Sequence, residues 1–344
     1  MIRLSICIAT LNRAEALRQT LDSVVDELPE SVEIVIVDGA STDPTRDVVE
    51  DFQARCPRVR YLQLSEKGGV DRDYARAVDL AVGEFCWLMT DDDLFVPGAV
   101  TRVLATLSDD VDLAICNAEI RDQELREVLY ERKLPLDEDR VFGNGDWDEL
   151  FRETADLLSF IGSVVIRRSV WKEREKESYF GTEFVHVGVI FQKPLAQNVV
   201  VLADPLVQIR YGNALWVERA FKIWMFQWPE LLWSFPSISD TAKKSVLDRE
   251  PWNSLKLLLL FKARGHYSRT EYRRFLRDAP FRVGRRGLAW TIAAVPDRLY
   301  NFVADLAARL LRPRDRMLHL ELRASRFSWK RASESESVSV SVSV

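Results

Sequence analysis

"FCWLMTDDDLF", residues 85 to 95, runs from five apolar residues (Phe85, Cys86, Trp87, Leu88, Met89) through Thr90 into three consecutive carboxylates, Asp91, Asp92 and Asp93. A short apolar run bounded by polar residues reads as a buried strand. Three like charges at its end repel one another and persist where water or a cation screens them. The segments on either side repeat the same plan. "LSICIAT" (4–10) is a buried strand, and "RAEALRQTLDSVV" (13–25) follows with Leu17, Leu21, Val24 and Val25 at helical spacing. "VEIVIVDGASTD" (32–43) is a second strand ending in Asp38-Gly39, with a helix opening near Pro44. "VRYLQLS" (59–65) is a third strand. "DRDYARAVDLAVG" (71–83) is a helix with Gly83 as its C-cap. Beyond the aspartates come a helix, "PGAVTRVLATL", and a fifth strand, "VDLAICNAEI" (111–120).

Near-continuous apolar strands alternating with helices predict a parallel α/β sheet covered on both faces. Ligands of such sheets bind beyond the carboxyl ends of the strands. Asn12-Arg13, Asp38, the segment Glu66 to Gly69, and Asp91 to Asp93 all fall there. After residue 120 the pattern loosens. Residues 158–171 read as a strand and the start of a helix, and 199–213 as two short strands. From 215 the chain is helical and rich in tryptophan.

Charge divides along the chain. Residues 262–331 hold 18 Lys/Arg against 6 Asp/Glu, whereas 1–261 hold 30 against 45. A basic arm on an acidic body suits an anionic surface. No nucleic-acid-binding motif accompanies it, so nucleic acid is not an expected partner. Within the arm, Leu299, Phe302, Val303, Leu306 and Leu310 share one helix face. The four cysteines include no CxxC pair, which argues against zinc and thiol redox chemistry. The opening "MIRLSICIATLNR" lacks the length of a signal peptide, and no apolar run is long enough to span a bilayer. The reading is therefore cytoplasmic, with peripheral attachment to the inner membrane face through 262–331. Residues 332–344 are low in complexity and are expected to be disordered.

Three segments together carry a family resemblance. "SICIATLNRAEALRQTLDSV", "VEIVIVDGASTDPT" and "GGVDRDYARAVDLAVGEFCWLMTDDD" resemble, in that order, the opening motifs of the family-2 glycosyltransferases. The details "GGVDRDYARAV", "CWLMTDDD", "YFGTEFVHV" and "IRYGNALW" are similar to the abequosyltransferase-like enzymes of O-antigen synthesis. The resemblance implies the GT-A fold, a Rossmann-like, mostly parallel sheet flanked by helices, with a helical C-terminal extension. It implies a catalytic domain over 1–215, with a donor half (1–120) and an acceptor half (121–215), and an extension over 216–331.

It also implies inverting transfer of a sugar from a nucleotide-diphosphate donor to a glycan, carried on a polyprenyl-diphosphate lipid in O-antigen-type synthesis. Thr10, Asn12 and Arg13 would line the nucleotide pocket. Asp38 would bind the base or ribose. Asp71, Arg72 and Arg76 would cover the donor, with Arg76 near the diphosphate. Asp91 and Asp93 would hold Mn²⁺ or Mg²⁺ beside Asp92, a register that slides by one residue to Asp92 and Asp93. Hard divalent cations of this kind prefer oxygen ligands. Where relatives carry Glu-Asp for the general base, this chain reads "SYFGTEFVHVGVIF" (178–191). Glu183 is the nearest substitute, and His186 would share a helix face with it. Arg210, Asn213 and Trp216 would form a loop ordering on donor or acceptor, and the C-terminal helices would form either a membrane contact or a homodimer interface.

Two other readings remain at this stage. A nucleotidyltransferase would need a Gly-rich phosphate loop after the first strand, where this chain has "TLNRAEAL". A non-catalytic nucleotide-sugar-binding protein would account for the missing Glu-Asp.

Overall fold

Apolar and β-branched residues fill the central strands of the computed structural model, which describes residues 1–212 and 217–328. β1 (Leu4–Thr10) and β2 (Val32–Asp38) are buried almost throughout, as is β4 (Phe85–Met89). β3 (Val59–Gln63) lies at the sheet edge with one neighbour, and its burial alternates accordingly. Helices α1 (Ala14–Asp22), α2 (Thr45–Arg55) and α3 (Val70–Leu80) connect these strands. The sheet continues through β5 (Leu94–Phe95), β6 (Val111–Arg121), β9 (Val164–Arg167) and β10 (Asn198–Arg210) in the order β3-β2-β1-β4-β9-β6-β10-β5. β7 (Val128–Tyr130) pairs with β6, and β8 (Arg140–Phe142) with β10.

The sheet is mixed rather than parallel throughout. β9 lies antiparallel between β4 and β6, while β3, β2, β1 and β4 are mutually parallel. Register levels the functional edge. Thr10 pairs with Asp38, and Ile8 pairs with Met89, so the turns after β1, β2 and β4 open side by side.

Two expectations need correction. Residues 199–213 do not form two short strands. β10 is one strand of 13 residues whose pairing with β6 shifts register on either side of Pro205. A proline donates no ladder hydrogen bond, so an irregularity there is the physical outcome. Gly83 is not the cap of α3, which ends at Leu80. A Cβ at Gly83 would lie 2.6 Å from Ser5 Oγ and 2.8 Å from Ser5 N. The residue is glycine because β1 passes directly against it.

Helices α4 (Ala99–Thr106), α5 (Trp147–Thr154), α6 (Arg168–Glu173) and α7 (Val185–Phe191) complete the first α/β segment, and α8 (Asp240–Val246) follows. The chain forms two compact units. Among the described residues, one comprises 1–211 and 231–246, and the other comprises 212, 217–230 and 247–328. Return of 231–246 to the first unit is marked by Ser239, which donates from its N–H and hydroxyl to the Asp148 carboxylate. The second unit contains α9 (Leu255–Ala263), α10 (Arg285–Ala294), α11 (Asp297–Leu311) and α12 (Arg316–Ala324). Its core is aromatic: Phe221 stacks on Tyr267 and Phe226 on Trp252.

Candidate active site

The carboxyl edge of β1, β2 and β4 is laced together by side chains. Asn12 takes a left-handed backbone (φ 54°), as does Ala40 (φ 73°). Asn12 N–H donates to Ser41 Oγ at 2.8 Å, and its side-chain oxygen accepts from Thr42 N–H at 2.7 Å. Positive φ at two non-glycine residues costs energy that the surrounding contacts must hold, a pattern that concentrates at functional sites.

Thr10 Oγ1 donates to Asp91 Oδ2 at 2.8 Å. Arg13 pairs directly with Asp92 and lies 3.6 Å from Asp91 Oδ1. Burial opposes the Arg13 charge, but the adjacent Asp92 and Asp91 outweigh it and raise the guanidinium above its ordinary range. Asp91 is buried, and burial together with the Asp92 charge raises it to about 7. A further cation at these clustered carboxylates would favour their ionised form.

Asp93 does different work. Its Oδ1 accepts from Arg210 N–H at 2.6 Å, Oδ2 accepts from the Thr90 hydroxyl, and it is 3% exposed. Each Asp93 oxygen therefore already accepts a hydrogen bond from the protein, whereas Asp92 faces Arg13. The half-buried Asp92 and its neighbour Asp91 remain as the two carboxylates that share Arg13. Among the described residues, no group of three His, Cys, Asp or Glu side chains converges as a complete cage. Hard divalent cations take one or two protein carboxylates, and the oxygen donors of Asp91 and Asp92 fit such an ion.

Arg210 is also reassigned. Its N–H holds Asp93, its Nε donates to Asp92 O at 2.8 Å, and its terminal nitrogens reach Gln123 O and Gln19 Oε1 at 2.9 and 2.6 Å. It fixes the aspartate turn against β10 rather than reaching out to an acceptor. Asn213 and Trp216 lie outside the described residues.

Asp38 is fully buried. Its Oδ1 accepts from Ser41 N–H at 2.7 Å and its Oδ2 from Tyr61 OH at 2.5 Å. Arg76 is exposed on α3. Asp71 points toward the segment after Tyr179: its carboxylate accepts from Gly181, Glu183 and Val185 N–H at 2.8, 3.0 and 3.1 Å. Burial raises Asp71, and those three N–H groups counter the rise. Arg72 stacks over the Phe180 ring at 4.6 Å, so α3 grips this segment twice.

Glu183 therefore stands in a held turn, half-buried, with φ 73°. It precedes α7 rather than lying on it, so the expected shared helix face with His186 does not exist. His186 belongs to the core. It is 1% exposed, its Nε2–H donates to Leu158 O at 2.7 Å, and burial lowers it to about 4. A neutral, enclosed imidazole of this kind does not meet substrate. Sequence reasoning also passed over Asp73, which is 5% exposed beside Gly39 and Gly68. Its signal was available as a carboxylate on the buried face of a helix.

Comparison with known proteins agrees with this architecture. Residues 5–167 match the family model described as Glycosyl transferase family 2. An abequosyltransferase of Salmonella typhimurium is 27% identical over 224 residues, 61% of this chain and 67% of that protein. A GalNAc(5)-diNAcBac-PP-undecaprenol beta-1,3-glucosyltransferase of Campylobacter jejuni is 30% identical over 105 residues, 30% of this chain and 34% of that protein. Among solved structures, Staphylococcus aureus TarS 1–349, also solved with UDP-GlcNAc, superposes with a TM-score of 0.58 at 15% identity, covering 92% of this chain and 89% of that one. The mannosyltransferase of Pyrobaculum calidifontis, in complex with GDP-Man and Mn²⁺, gives 0.52 at 16% identity, covering 94% and 85%.

Proposed function

We propose that this chain, whose residues 5–167 match a family 2 glycosyltransferase domain, is a glycosyltransferase that moves a sugar, with inversion, from a nucleotide-diphosphate donor to a lipid-linked glycan. The observation that carries the reading is the Arg13–Asp91–Asp92 cluster at the level ends of β1 and β4. Asp91 and Asp92 would hold Mn²⁺ or Mg²⁺. The ion would neutralise charge on the departing diphosphate. Arg13, already paired there, supplies a second positive charge at the same place, and Thr10 orients Asp91. Asp38 braces the loop after β2 through Ser41, and exposed Arg76 supplies positive charge on α3.

Glu183 is the general base in this reading. The acceptor hydroxyl loses its proton to the carboxylate as it attacks the anomeric carbon opposite the diphosphate. The left-handed backbone at Glu183, held by Asp71, supports the role, since strain kept by surrounding hydrogen bonds marks functional positions. Replacing Glu183→Gln should lower sugar transfer by about 10²- to 10⁴-fold while donor binding is kept. Equal loss of both would remove Glu183 from the base role.

The lipid-linked acceptor is supported by α11. This helix turns its apolar face outward. Leu299, Phe302, Val303, Leu306, Leu310 and Leu311 are 43% to 81% exposed, whereas Asn301 and Asp305 are buried. Arg298, Arg309 and Arg312 flank that face, and Arg314 and Arg316 follow it. No helix among the described residues is long and apolar enough to cross a membrane. An apolar stripe bordered by arginines suits the boundary between headgroups and acyl chains of an anionic bilayer.

A further inference from the structure

Resting on the donor site proposed above, we infer that Asp73 reads the nucleoside: it accepts the hydrogen-bond-donating edge of the donor's base or ribose, and it is the residue that sets nucleotide selectivity. Asp73 lies in the first turn of α3 and is 5% exposed. Its Oδ1 is fully buried and has no hydrogen-bond partner. A buried carboxylate left unpaired is costly, so folded proteins rarely keep one without a compensating ligand or role. The nearest cations, Arg76 and Lys67, are exposed and act on it through space.

Two glycines pack against the carboxylate. A Cβ at Gly39 would stand 3.1 Å from Asp73 Oδ2, and one at Gly68 would stand 3.1 Å from Oδ1. Both residues that face the carboxylate are therefore bare backbone, and a side chain at either would crowd it. The other acceptor at this edge is already used, since Asp38 takes Ser41 N–H and Tyr61 OH. Asp73 is thus the carboxylate of this edge that keeps an oxygen without a hydrogen bond from the protein. It matches a group that donates: an exocyclic amine or ring N–H of a base, or the vicinal hydroxyls of a ribose. A carbonyl in the same place is repelled. Lys67 and Arg76 on either side suit the phosphates of that same molecule.

The test uses the full chain with Mn²⁺ and compares wild type, Asp73→Asn and Gly39→Ala. Binding of CDP, UDP, GDP, ADP, dTDP, their 2′-deoxy forms and inorganic pyrophosphate is measured by calorimetry. Wild type should prefer one nucleotide. Asp73→Asn should lose about 10- to 100-fold for it, while pyrophosphate binds both proteins alike. Gly39→Ala should show the same selective loss, because its methyl crowds Oδ2 without touching the charge. Loss for one base that is equal in its ribo and 2′-deoxy forms assigns the contact to the base. Loss shared by all ribonucleotides but absent from the 2′-deoxy forms assigns it to the ribose. Unchanged nucleotide affinity in both variants overturns this inference alone, as does parallel loss of pyrophosphate. Pyrophosphate binding by wild type with no nucleotide binding would overturn the donor-site reading together with it.

Discussion

Adjacent aspartates face opposite ways, and single substitutions separate their roles. Asp92 faces Arg13 and is half-buried, whereas Asp93 is folded inward onto Thr90 and Arg210. Asp92→Asn should weaken metal-dependent nucleotide binding by about 100-fold with little change in thermal stability. Asp93→Asn should do the reverse, lowering stability by about 2 kcal/mol because an amide cannot accept at both oxygens. Thermal unfolding beside nucleotide titration checks the pair. His186 gives a pH signature. Its folded value of about 4 lies below the ordinary 6.5. Between those values the unfolded chain binds a proton that the folded one does not, so stability is full above pH 6.5 and falls as the pH drops toward 4. The loss amounts to at most roughly 3 kcal/mol. Urea unfolding at pH 7 and pH 5 should show a smaller pH effect in His186→Gln, whose amide still donates to Leu158 O. The residue types at the site were legible in the sequence, because Thr10, Arg13, Asp38 and the aspartates sit at strand ends. The direction each side chain takes was not. Which aspartate turns inward is decided by β10, more than a hundred residues away, and His186 is claimed by the carbonyl of Leu158.

At the scale of elements, α3 ties the donor edge to the segment that presents Glu183. Asp71 holds that segment through three N–H groups, and Arg72 stacks on Phe180. Asp71→Ala releases the turn without removing any group proposed to touch the nucleotide. It should lower kcat at least tenfold and change nucleotide affinity less than threefold. Steady-state kinetics beside calorimetry separates the two. Gly83→Ala should destabilise the first unit by about 3 kcal/mol, since its Cβ would meet the backbone of β1. Strands β1, β2, β4 and β6 were readable because buried strands are continuous apolar runs. The antiparallel insertion of β9 was not, since strand direction depends on long-range pairing and leaves no periodic mark. β10 was misread as two strands because Asp204-Pro205 resembles a turn, while β6 pairs on both sides of it.

At the scale of the whole molecule, charge and apolar exposure point the same way. The basic C-terminal region contains a helix whose large apolar side chains face outward. Flotation with anionic vesicles should recover the wild-type protein, and Leu306→Glu with Leu310→Glu should abolish recovery while nucleotide binding persists. Recovery unchanged by those substitutions, or self-association in place of vesicle binding, would assign the face to a second copy of the chain. The sequence showed this amphipathic pattern but not which way it faces, because burial of Asn301 is fixed by its hydrogen bonds to Ala263 O and Leu322 O. The central claim concerns the cluster at the end of β4. Its most direct test is calorimetric titration of nucleoside diphosphates into the full chain with Mn²⁺, Mg²⁺ or EDTA, repeated on Asp92→Asn. The account predicts that one nucleotide binds only with metal and that the variant loses it. Binding of equal strength in EDTA, or no nucleotide binding with either metal, would contradict it.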